Sequence, residues 1–254
     1  MNYFAAPSAA ERYANGRPFF HPQAIQKILA ICCQNGRIDF ALDVGCGTGQ
    51  SSLALLEVAD KIVGLDDSAE MLSCAASDPQ ISYVKGRAEE LPFADKSFGL
   101  ISVALAFHWF DQKQFMLEAK RVLRPGGWLV IYNDGFTGRM KCNDDFTKWN
   151  LEHYLVRYPT PPRNPQSPEN NVDTSAYGFA APSCDQFVHE IVFTPEQLVS
   201  YLLTQTNVIV AVEAGREDYP SVARWLRDCT RPLFAKPAET FLFSCQIHLL
   251  RRYP

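Results

Sequence analysis

Short apolar segments alternate with helix-like segments through the first half of the chain. Strands are predicted at 38–44, 61–65, 81–84, 100–105 and 128–132, and helices at 22–34, 51–58, 69–76 and 112–123. A helix between successive strands keeps the strands parallel and the crossovers right-handed. Ligands bind to such sheets beyond the carboxyl ends of the strands, and this chain places its distinctive loops at that edge.

The second half of the chain is less regular. Strands are predicted there at 187–193 and 241–250, and helices at 146–156, 196–203 and 219–234. The segment at 159–182 is rich in Pro, Asn and Ser, which predicts a surface loop or lid. Together with the five earlier strands, the pattern predicts an α/β fold. We expect a Rossmann-like, doubly wound, mostly parallel seven-stranded sheet with a helical lid insertion.

The stretch LDVGCGTGQ at 42–50 places Gly45, Gly47 and Gly49 between the first strand and the helix that follows it. Unpaired backbone N–H groups collect at the start of a helix, and a missing Cβ lets a ligand approach the main chain. A tight glycine-rich turn without a ligand is the alternative. A dinucleotide fingerprint requires a third glycine at position 50, where this chain has Gln50, so the pattern disfavours a pyrophosphate.

Asp66 ends the second predicted strand, 21 residues after Gly45. A carboxylate at this place can accept hydrogen bonds from both hydroxyls of a ribose, as the acidic residue of dinucleotide-binding folds does. Its alternative role is to cap the next helix, although Asp67 or Ser68 could supply that cap instead. The acid and the glycine loop together favour a nucleoside ligand.

Four motifs, in this order and spacing, resemble those of class I S-adenosylmethionine-dependent methyltransferases: LDVGCGTG, VGLDDSAEML, GRAEELPFADKSFGLI and AKRVLRPGGWLVI. They cover about residues 38–134. Two further segments, ERYANGRPFFHP and AFHWFD, are similar to the trans-aconitate methyltransferase-like group of small-molecule enzymes. The identity of the substrate does not follow from this resemblance, because sites vary on a shared fold.

The length of 254 residues predicts one domain over 1–254, since α/β folds of this size commonly form a single domain with insertions. Its expected parts are an N-terminal helical cap (1–37), a cofactor-binding core (38–134), a helical insertion or lid with one strand near 187–193 (135–238) and a closing strand (239–254).

The resemblance also implies where S-adenosylmethionine binds. The glycine loop would face the methionine part, Asp66 would hold the ribose, and Ala88 and Glu89 would meet the adenine edge. Met71 packs on the adenine ring in one interpretation and in the core in the other. The predicted cofactor-binding residues are Asp43, Gly45, Cys46, Gly47, Gly49, Asp66, Asp67, Met71, Ala88, Glu89, Ala104 and Leu105.

The chain departs from the family pattern at three positions near this site. Arg87 stands where an acidic residue is frequent, and Gly99 stands where Asp is frequent. Leu105 replaces a common Gln, so we expect a more apolar pocket at the end of the fourth strand.

His108 is the candidate catalytic residue, with three interpretations open: a general base, a polar wall beside the sulfonium, or a structural histidine bonded to a loop carbonyl. A sulfonium methyl is already activated, so the enzyme chiefly has to align an acceptor lone pair and exclude water. No metal is required. A hydroxyl or amine acceptor would use a base, whereas a carboxylate would not.

The acceptor pocket is expected to form from the N-terminal segment and the insertion. Its predicted residues are Tyr13, Arg17, Phe20, Trp109 and Phe136. The alternative is an N-terminal helix packed on the sheet and ordinary aromatic core packing. Guanidinium groups match carboxylates, so Arg17 and Arg139 could bind an acidic group of the cofactor or acceptor.

Composition excludes several classes of function. With 24 basic and 28 acidic residues and a formal charge of −4, the chain lacks the polycationic surface of nucleic-acid-binding proteins. No apolar run reaches the roughly 18 residues that span a bilayer, and no secretion signal is evident, so we expect a cytoplasmic protein without a membrane partner. The eight cysteines are dispersed, which predicts buried free thiols and no metal site.

The leading hypothesis is therefore an S-adenosylmethionine-dependent methyltransferase (EC 2.1.1 type) that methylates an O or N atom of a small-molecule acceptor, as a monomer or homodimer. An S-adenosylmethionine-binding protein without methyl transfer, in a regulatory or scaffold role, is the alternative. A nicotinamide-dependent dehydrogenase is disfavoured by Gln50.

Overall fold

A computed structural model describes residues 7–34, 36–160 and 174–254. These residues form a seven-stranded sheet. Its strands are β1 (Ile38–Val44), β2 (Ala59–Asp66), β3 (Ile81–Lys85), β4 (Phe98–Ala104), β5 (Leu123–Met140), β6 (Ser183–Phe193) and β7 (Glu239–Arg251). They lie side by side in the order β3-β2-β1-β4-β5-β7-β6.

The sheet is mostly parallel. β1 pairs in parallel with β2 and β4, β2 pairs in parallel with β3, and β4 pairs in parallel with β5. Backbone hydrogen bonds join Gly126 to Arg252 and Lys141 to Thr240, so β7 runs antiparallel to β5. The Rossmann-like, doubly wound α/β fold predicted from the sequence is confirmed.

Ten α-helices occur within the described residues. They are α1 (Pro7–Gly16), α2 (Pro22–Cys32), α3 (Gln50–Leu55), α4 (Ala69–Ser73), α5 (Gln112–Val122), α6 (Asp144–Trp149), α7 (Leu155–Arg157), α8 (Pro195–Leu202), α9 (Thr206–Glu213) and α10 (Tyr219–Thr230). Several begin at side-chain caps: Ser68 accepts from the Met71 N–H, and Thr194 forms a capping box with Gln197. Such caps satisfy N–H groups that a helix start leaves unpaired.

The chain divides into two compact units. The sheet unit comprises the described residues of Phe19–Asn133, Arg163–Gln186 and Cys245–Pro254, and the helical unit those of Met1–Pro18, Asp134–Pro162 and Phe187–Ser244. The core of the sheet unit is mainly aliphatic, whereas the core of the helical unit is rich in aromatic side chains. The subdivision expected from the sequence, with boundaries after 37, 134 and 238, stays a prediction.

The expectation that strand structure ends near 132 is wrong, because β5 continues to Met140. Burial continues beyond Asn133, since Asp134 is buried, so the polar residues there do not end the strand. The segment RPGG at 124–127, before the strand predicted at 128–132, lies within β5 at an irregularity of its pairing with β4. Leu123 pairs with Phe98 and Trp128 with Leu100, so the five-residue step on β5 faces a two-residue step on β4.

Three helical expectations also need correction. The predicted helix at 146–156 is broken: a π-helical turn at Asn150–Tyr154 separates α6 from α7. The predicted helix at 219–234 is too long, because the α-helix ends at Thr230. Helix α9 was not expected, because β-branched residues have low helix propensity, and burial of Val208 and Ile209 offsets that preference.

Part of the expected surface loop or lid, at 161–173, lies outside the described residues. No described helix is long and apolar enough to cross a membrane. All eight cysteines are free thiols, but Cys142 and Cys184 are exposed, so the expectation that the thiols are buried is wrong for these two. Sequence spacing does not report exposure at strand ends and turns.

Candidate active site

The candidate site lies in the sheet unit, at the edge where parallel strands end. β1 ends at Val44, β2 at Asp66 and β4 at Ala104. Asp43 lies opposite Gly64 on β2 and opposite Ser102 on β4, so the three strands are in register at this edge. Carboxyl ends of adjacent parallel strands form the usual ligand-binding crevice of such sheets.

The three glycines of the loop all have positive φ angles: 73° at Gly45, 54° at Gly47 and 76° at Gly49. A Cβ on Gly45 would overlap the Ala106 side chain, and a Cβ on Gly49 would overlap the hydroxyl of Tyr83. At Gly47 the nearest atom would be the Met71 methyl, 3.0 Å away. Two glycines are therefore required by the protein's own packing, and Gly47 by its backbone conformation and the neighbouring Met71.

Four backbone N–H groups of this loop, those of Gly45, Cys46, Gly47 and Gly49, are already hydrogen-bonded within the sheet unit. Gly45 and Cys46 donate to the Leu65 carbonyl at 2.7 and 3.1 Å, and Gly49 donates to the Cys46 carbonyl at 2.9 Å. Gly47 donates to Asp66. These four N–H groups are therefore not left over for a ligand, and what the glycines add is the space left by missing side chains.

Asp66 joins the ends of two loops. Its Oδ2 accepts from the Gly47 N–H at 2.8 Å, and its Oδ1 accepts from the Ser68 N–H at 2.9 Å. Burial raises the pKa of the Asp66 carboxyl, and these two hydrogen bonds oppose the rise. Since Ser68 caps α4, Asp66 is not needed as that cap. Each carboxylate oxygen keeps a lone pair for a further donor.

Asp43 is the most deeply buried acid of the site. Its Oδ2 accepts from the hydroxyls of Ser51 and Ser52 at 2.7 and 2.6 Å. Its Oδ1 is buried and has no hydrogen-bond partner among the described residues. Burial raises the pKa of Asp43 to about 6, against the hydrogen bonds from the two serines. A buried carboxylate oxygen of this kind favours a ligand that donates to it.

The adenine-side candidates lie on α4 and on the loop after β3. Met71 is buried on α4 and Ala88 is buried in the loop. Glu89 is bonded within the protein: its Oε1 accepts from the Asp111 N–H at 2.9 Å, and its Oε2 pairs with Arg87 at 3.3 Å. The Glu89 side chain therefore hydrogen-bonds to the residue that precedes α5. The neighbouring Ala88 backbone is the stronger candidate for a base edge.

The segment after β4 carries a strained residue and the candidate catalytic histidine. Leu105 has a φ of 59°, uncommon for a side chain of its size, and its N–H donates to the Tyr132 carbonyl at 2.9 Å. His108 lies in a short 3₁₀ helix, Phe107–Trp109, with its ring 4.7 Å from that of Trp109. Trp109 is 39% exposed, so it is not a core residue.

The predicted acceptor residues fall in both units. Phe20 and Trp109 belong to the sheet unit, whereas Tyr13, Arg17 and Phe136 belong to the helical unit. Tyr13 and Arg17 lie on α1 and its end: the Arg17 guanidinium stacks on the Tyr13 ring at 4.7 Å and donates to the Thr204 carbonyl at 3.2 Å. Phe136 packs against the aromatic core of the helical unit.

Two buried polar pairs were not expected from the sequence. In the sheet unit, His21 Nδ1 and the Tyr132 hydroxyl are 2.8 Å apart, and burial lowers the pKa of His21 to about 4. In the helical unit, His189 Nε2 and Asp134 Oδ2 are 2.6 Å apart. The second pair had a signal: His189 occupies an inward position of an alternating strand, where an apolar residue is usual.

Comparison with known proteins agrees with this architecture. Residues 42–131 match the family of methyltransferase domains. A protein of Dictyostelium discoideum, provisionally described as a methyltransferase, is 27% identical over 83% of this chain and 80% of its own length. An uncharacterised methyltransferase of Mycobacterium tuberculosis is 39% identical over 50% of this chain, and the match spans only 51% of that relative.

A solved structure shows the same fold. A protein from Anaeromyxobacter dehalogenans, provisionally described as a type II methyltransferase, has a TM-score of 0.69 and 24% identity, and the match covers 91% of this chain and 96% of that one. At 24% identity this structure shows a shared fold, and the family match is to methyltransferase domains. The matched residues 42–131 all lie in the sheet unit, which also holds the residues predicted to bind S-adenosylmethionine.

Proposed function

We propose that the protein transfers a methyl group from S-adenosylmethionine to an oxygen or nitrogen atom of a small-molecule acceptor. The observation that carries this proposal is the buried Asp43 Oδ1, which lacks a hydrogen-bond partner among the described residues and lies at the start of the glycine loop. A buried acceptor of this kind is costly unless a ligand donates to it, and the cofactor's ammonium group is such a donor.

The residues present fit the cofactor. Asp43 and the carbonyls of the glycine loop would hold its ammonium, and Asp66 would accept from its ribose hydroxyls. The Ala88 backbone and Met71 would meet the adenine. The remaining residues of the proposed cofactor site are Gly45, Cys46, Gly47, Gly49, Asp67, Glu89, Ala104 and Leu105.

When bound, S-adenosylmethionine supplies a methyl group already activated by a sulfonium. The protein has to orient the acceptor atom, exclude water and receive a proton where the acceptor loses one. His108 is the proposed proton acceptor, since an imidazole changes its charge near neutral pH.

The acceptor is proposed to contact Tyr13, Arg17, Phe20, Trp109 and Phe136. Similarity of ERYANGRPFFHP and AFHWFD to the trans-aconitate methyltransferase-like group supports a small molecule as the acceptor. We propose a monomer or homodimer that does not bind nucleic acid.

Two measurements test this function. Calorimetric titration with S-adenosylhomocysteine should give a saturable binding isotherm that is lost in Asp43→Leu. A screen of small hydroxyl, amine and carboxylate metabolites should then yield S-adenosylhomocysteine only with a suitable acceptor present. Binding without acceptor-dependent turnover would indicate a cofactor-binding protein that transfers no methyl group. The absence of binding would exclude both.

A further inference from the structure

The loop between β3 and β4, residues 86–97, carries the backbone that is proposed to meet adenine. Residues 86–97 all lie within the described part of the chain, and none of them belongs to a helix or strand. The backbone N–H and C=O groups of such a segment need partners elsewhere in the protein. The groups that supply those partners therefore decide where Ala88 and Glu89 lie.

Two charged side chains of α5 supply such partners at Leu91. Glu118 Oε2 accepts from the Leu91 N–H at 2.8 Å, and the Arg121 guanidinium donates to the Leu91 carbonyl at 2.8 Å. Both backbone groups of Leu91 are thus satisfied from one helix, as a neighbouring strand would satisfy them. The Leu91 side chain is buried in the core of the sheet unit, so this residue is fixed on both sides.

Arg121 also holds the part of the loop that follows Leu91. Its guanidinium donates to the Phe93 carbonyl at 2.7 Å and to the Asp95 carboxylate at 3.0 Å, and its own carbonyl accepts from the Lys96 N–H at 2.9 Å. Glu118 accepts two hydrogen bonds from the guanidinium, at 2.8 and 2.7 Å. This two-point pairing fixes the plane of the guanidinium, and with it the direction of the bonds to the loop.

The start of α5 holds the same loop nearer to the cofactor edge. The Asp111 N–H donates to Glu89 Oε1 at 2.9 Å, and the Asp111 side chain caps α5 by accepting from the Gln114 N–H. The loop is therefore tied to α5 at residues from Glu89 to Lys96. Since Ala88 directly precedes Glu89, these ties restrict the position of the Ala88 backbone.

We propose that Glu118 and Arg121 are positioning residues for recognition of the adenine base: they hold residues 91–96 against α5 and so keep the Ala88 backbone in place for the base edge. This inference rests on the proposed function and adds residues outside the proposed cofactor site. A loop released from α5 would be competent to meet the base for only part of the time, and the apparent affinity falls by that fraction. The loss should affect only a ligand whose base the loop recognises.

Two nucleosides that differ only in the base test this proposal. S-inosylhomocysteine has a carbonyl oxygen and a ring N–H where S-adenosylhomocysteine has an amino group and a ring nitrogen, so backbone groups that fit one base edge oppose the other. In calorimetric titrations, the wild-type chain should bind S-adenosylhomocysteine at least about tenfold more tightly than S-inosylhomocysteine. Arg121→Met keeps an apolar stem but removes the donors. It should weaken S-adenosylhomocysteine about tenfold and change S-inosylhomocysteine by less than about threefold.

A matched control is available at the start of β5. Arg124 also donates to a carboxylate and a carbonyl, those of Asp39 at 2.6 Å and Ser97 at 3.2 Å. Ser97 immediately precedes β4, at the end of that strand opposite to the cofactor edge. Arg124→Met should therefore leave both affinities unchanged.

Glu118→Gln provides a second, milder variant. It keeps an oxygen that can accept from the Leu91 N–H but loses the charge that orients Arg121, so it should reduce the preference for S-adenosylhomocysteine in the same direction as Arg121→Met. This variant decides the question if Arg121→Met does not fold.

The outcomes separate base recognition from a merely structural role. An equal loss for both nucleosides, or a wild-type preference retained in Arg121→Met and Glu118→Gln, would overturn the proposal. So would a wild-type chain without preference between the two nucleosides, or an Arg124→Met variant that loses the preference as strongly. A protein that binds no S-adenosylhomocysteine would instead overturn the proposed function.

Discussion

Asp66 Oδ2 accepts a hydrogen bond from the backbone N–H of Gly47 at 2.8 Å, so the acid that ends β2 also fixes the loop that follows β1. Its second oxygen accepts from the Ser68 N–H at 2.9 Å, next to the start of α4. One carboxylate thus holds two loops at the edge where the cofactor is proposed to bind. Its removal should affect both stability and binding.

We expect Asp66→Ala to lower the free energy of unfolding by about 1–3 kcal/mol, because two partly buried N–H groups lose their acceptor. It should also weaken S-adenosylhomocysteine binding about tenfold to a hundredfold. Urea denaturation and calorimetry measure the two effects. Asp60→Ala is the control, since Asp60 lies on the same strand but is exposed and pairs with Arg37. Unchanged cofactor affinity in Asp66→Ala would remove Asp66 from the site.

Gly49 and Gly215 offer a second comparison. Both have positive φ angles, 76° and 65°, but a Cβ on Gly49 would overlap the Tyr83 hydroxyl, whereas one on Gly215 would meet nothing within 4 Å. Gly215→Ala should cost only the backbone strain, about 1–2 kcal/mol. Gly49→Ala should cost about 1–3 kcal/mol more, because the Tyr83 hydroxyl is held by the Ala76 carbonyl at 2.8 Å.

The Gly49 steric effect can be isolated. Adding Tyr83→Phe to Gly49→Ala removes the overlapping oxygen, so the double variant should be more stable than the sum of the single effects predicts. Equal costs at Gly49 and Gly215 in thermal unfolding would contradict the packing explanation.

Asp43 and His21 should make opposite contributions to the pH dependence of stability. The pKa of Asp43 is raised to about 6, so its stabilising contribution is present at low pH and is lost as pH rises through 6. The pKa of His21 is lowered to about 4, so its contribution is present above the ordinary histidine pKa and is lost as pH falls through 4. Between pH 4 and 6 the contribution of Asp43 to stability therefore falls as pH rises, whereas that of His21 increases.

Single substitutions should isolate the contribution of each group to the pH dependence of stability. Relative to the wild type, Asp43→Asn should become more stable as pH rises from about 4 to 6, and His21→Gln should become less stable, each by up to about 1.4 kcal/mol per pH unit. Urea denaturation at several pH values in this window measures the differences, and contributions from other groups cancel in each comparison. Parallel curves for wild type and variant would show that the group concerned does not titrate as described.

The sequence predicted the sheet better than it predicted the helical unit, for a physical reason. β1 was predicted with its observed bounds, because parallel central strands are short, continuous apolar runs between polar loops. The full length of β5 and the existence of α9 depend on burial by residues distant in the chain, which no local pattern reports. Elements stabilised by tertiary packing are therefore those that were misjudged.

The same distinction applies to the candidate site. The glycine loop and Asp66 were found from their spacing, because loop geometry requires particular residues at particular positions. The N–H groups of Gly45 and Gly47 were expected to face the cofactor, yet they bond to Leu65 and Asp66. The pair of Asp134 and His189 joins residues 55 positions apart, so only the folded chain brings it to notice.

His108 should affect turnover without affecting cofactor binding. With an acceptor found by the metabolite screen, His108→Ala should lower kcat about a hundredfold to ten-thousandfold if the imidazole receives the acceptor's proton. Its affinity for S-adenosylhomocysteine should stay unchanged. His108→Gln separates the roles, because an amide can form a polar wall but cannot act as a base near neutral pH. Recovery of kcat in His108→Gln would indicate that the imidazole serves as a polar wall. Loss of thermal stability in both variants would indicate a structural role, since His108 belongs to a 3₁₀ helix and its ring packs at a tilt against that of Trp109.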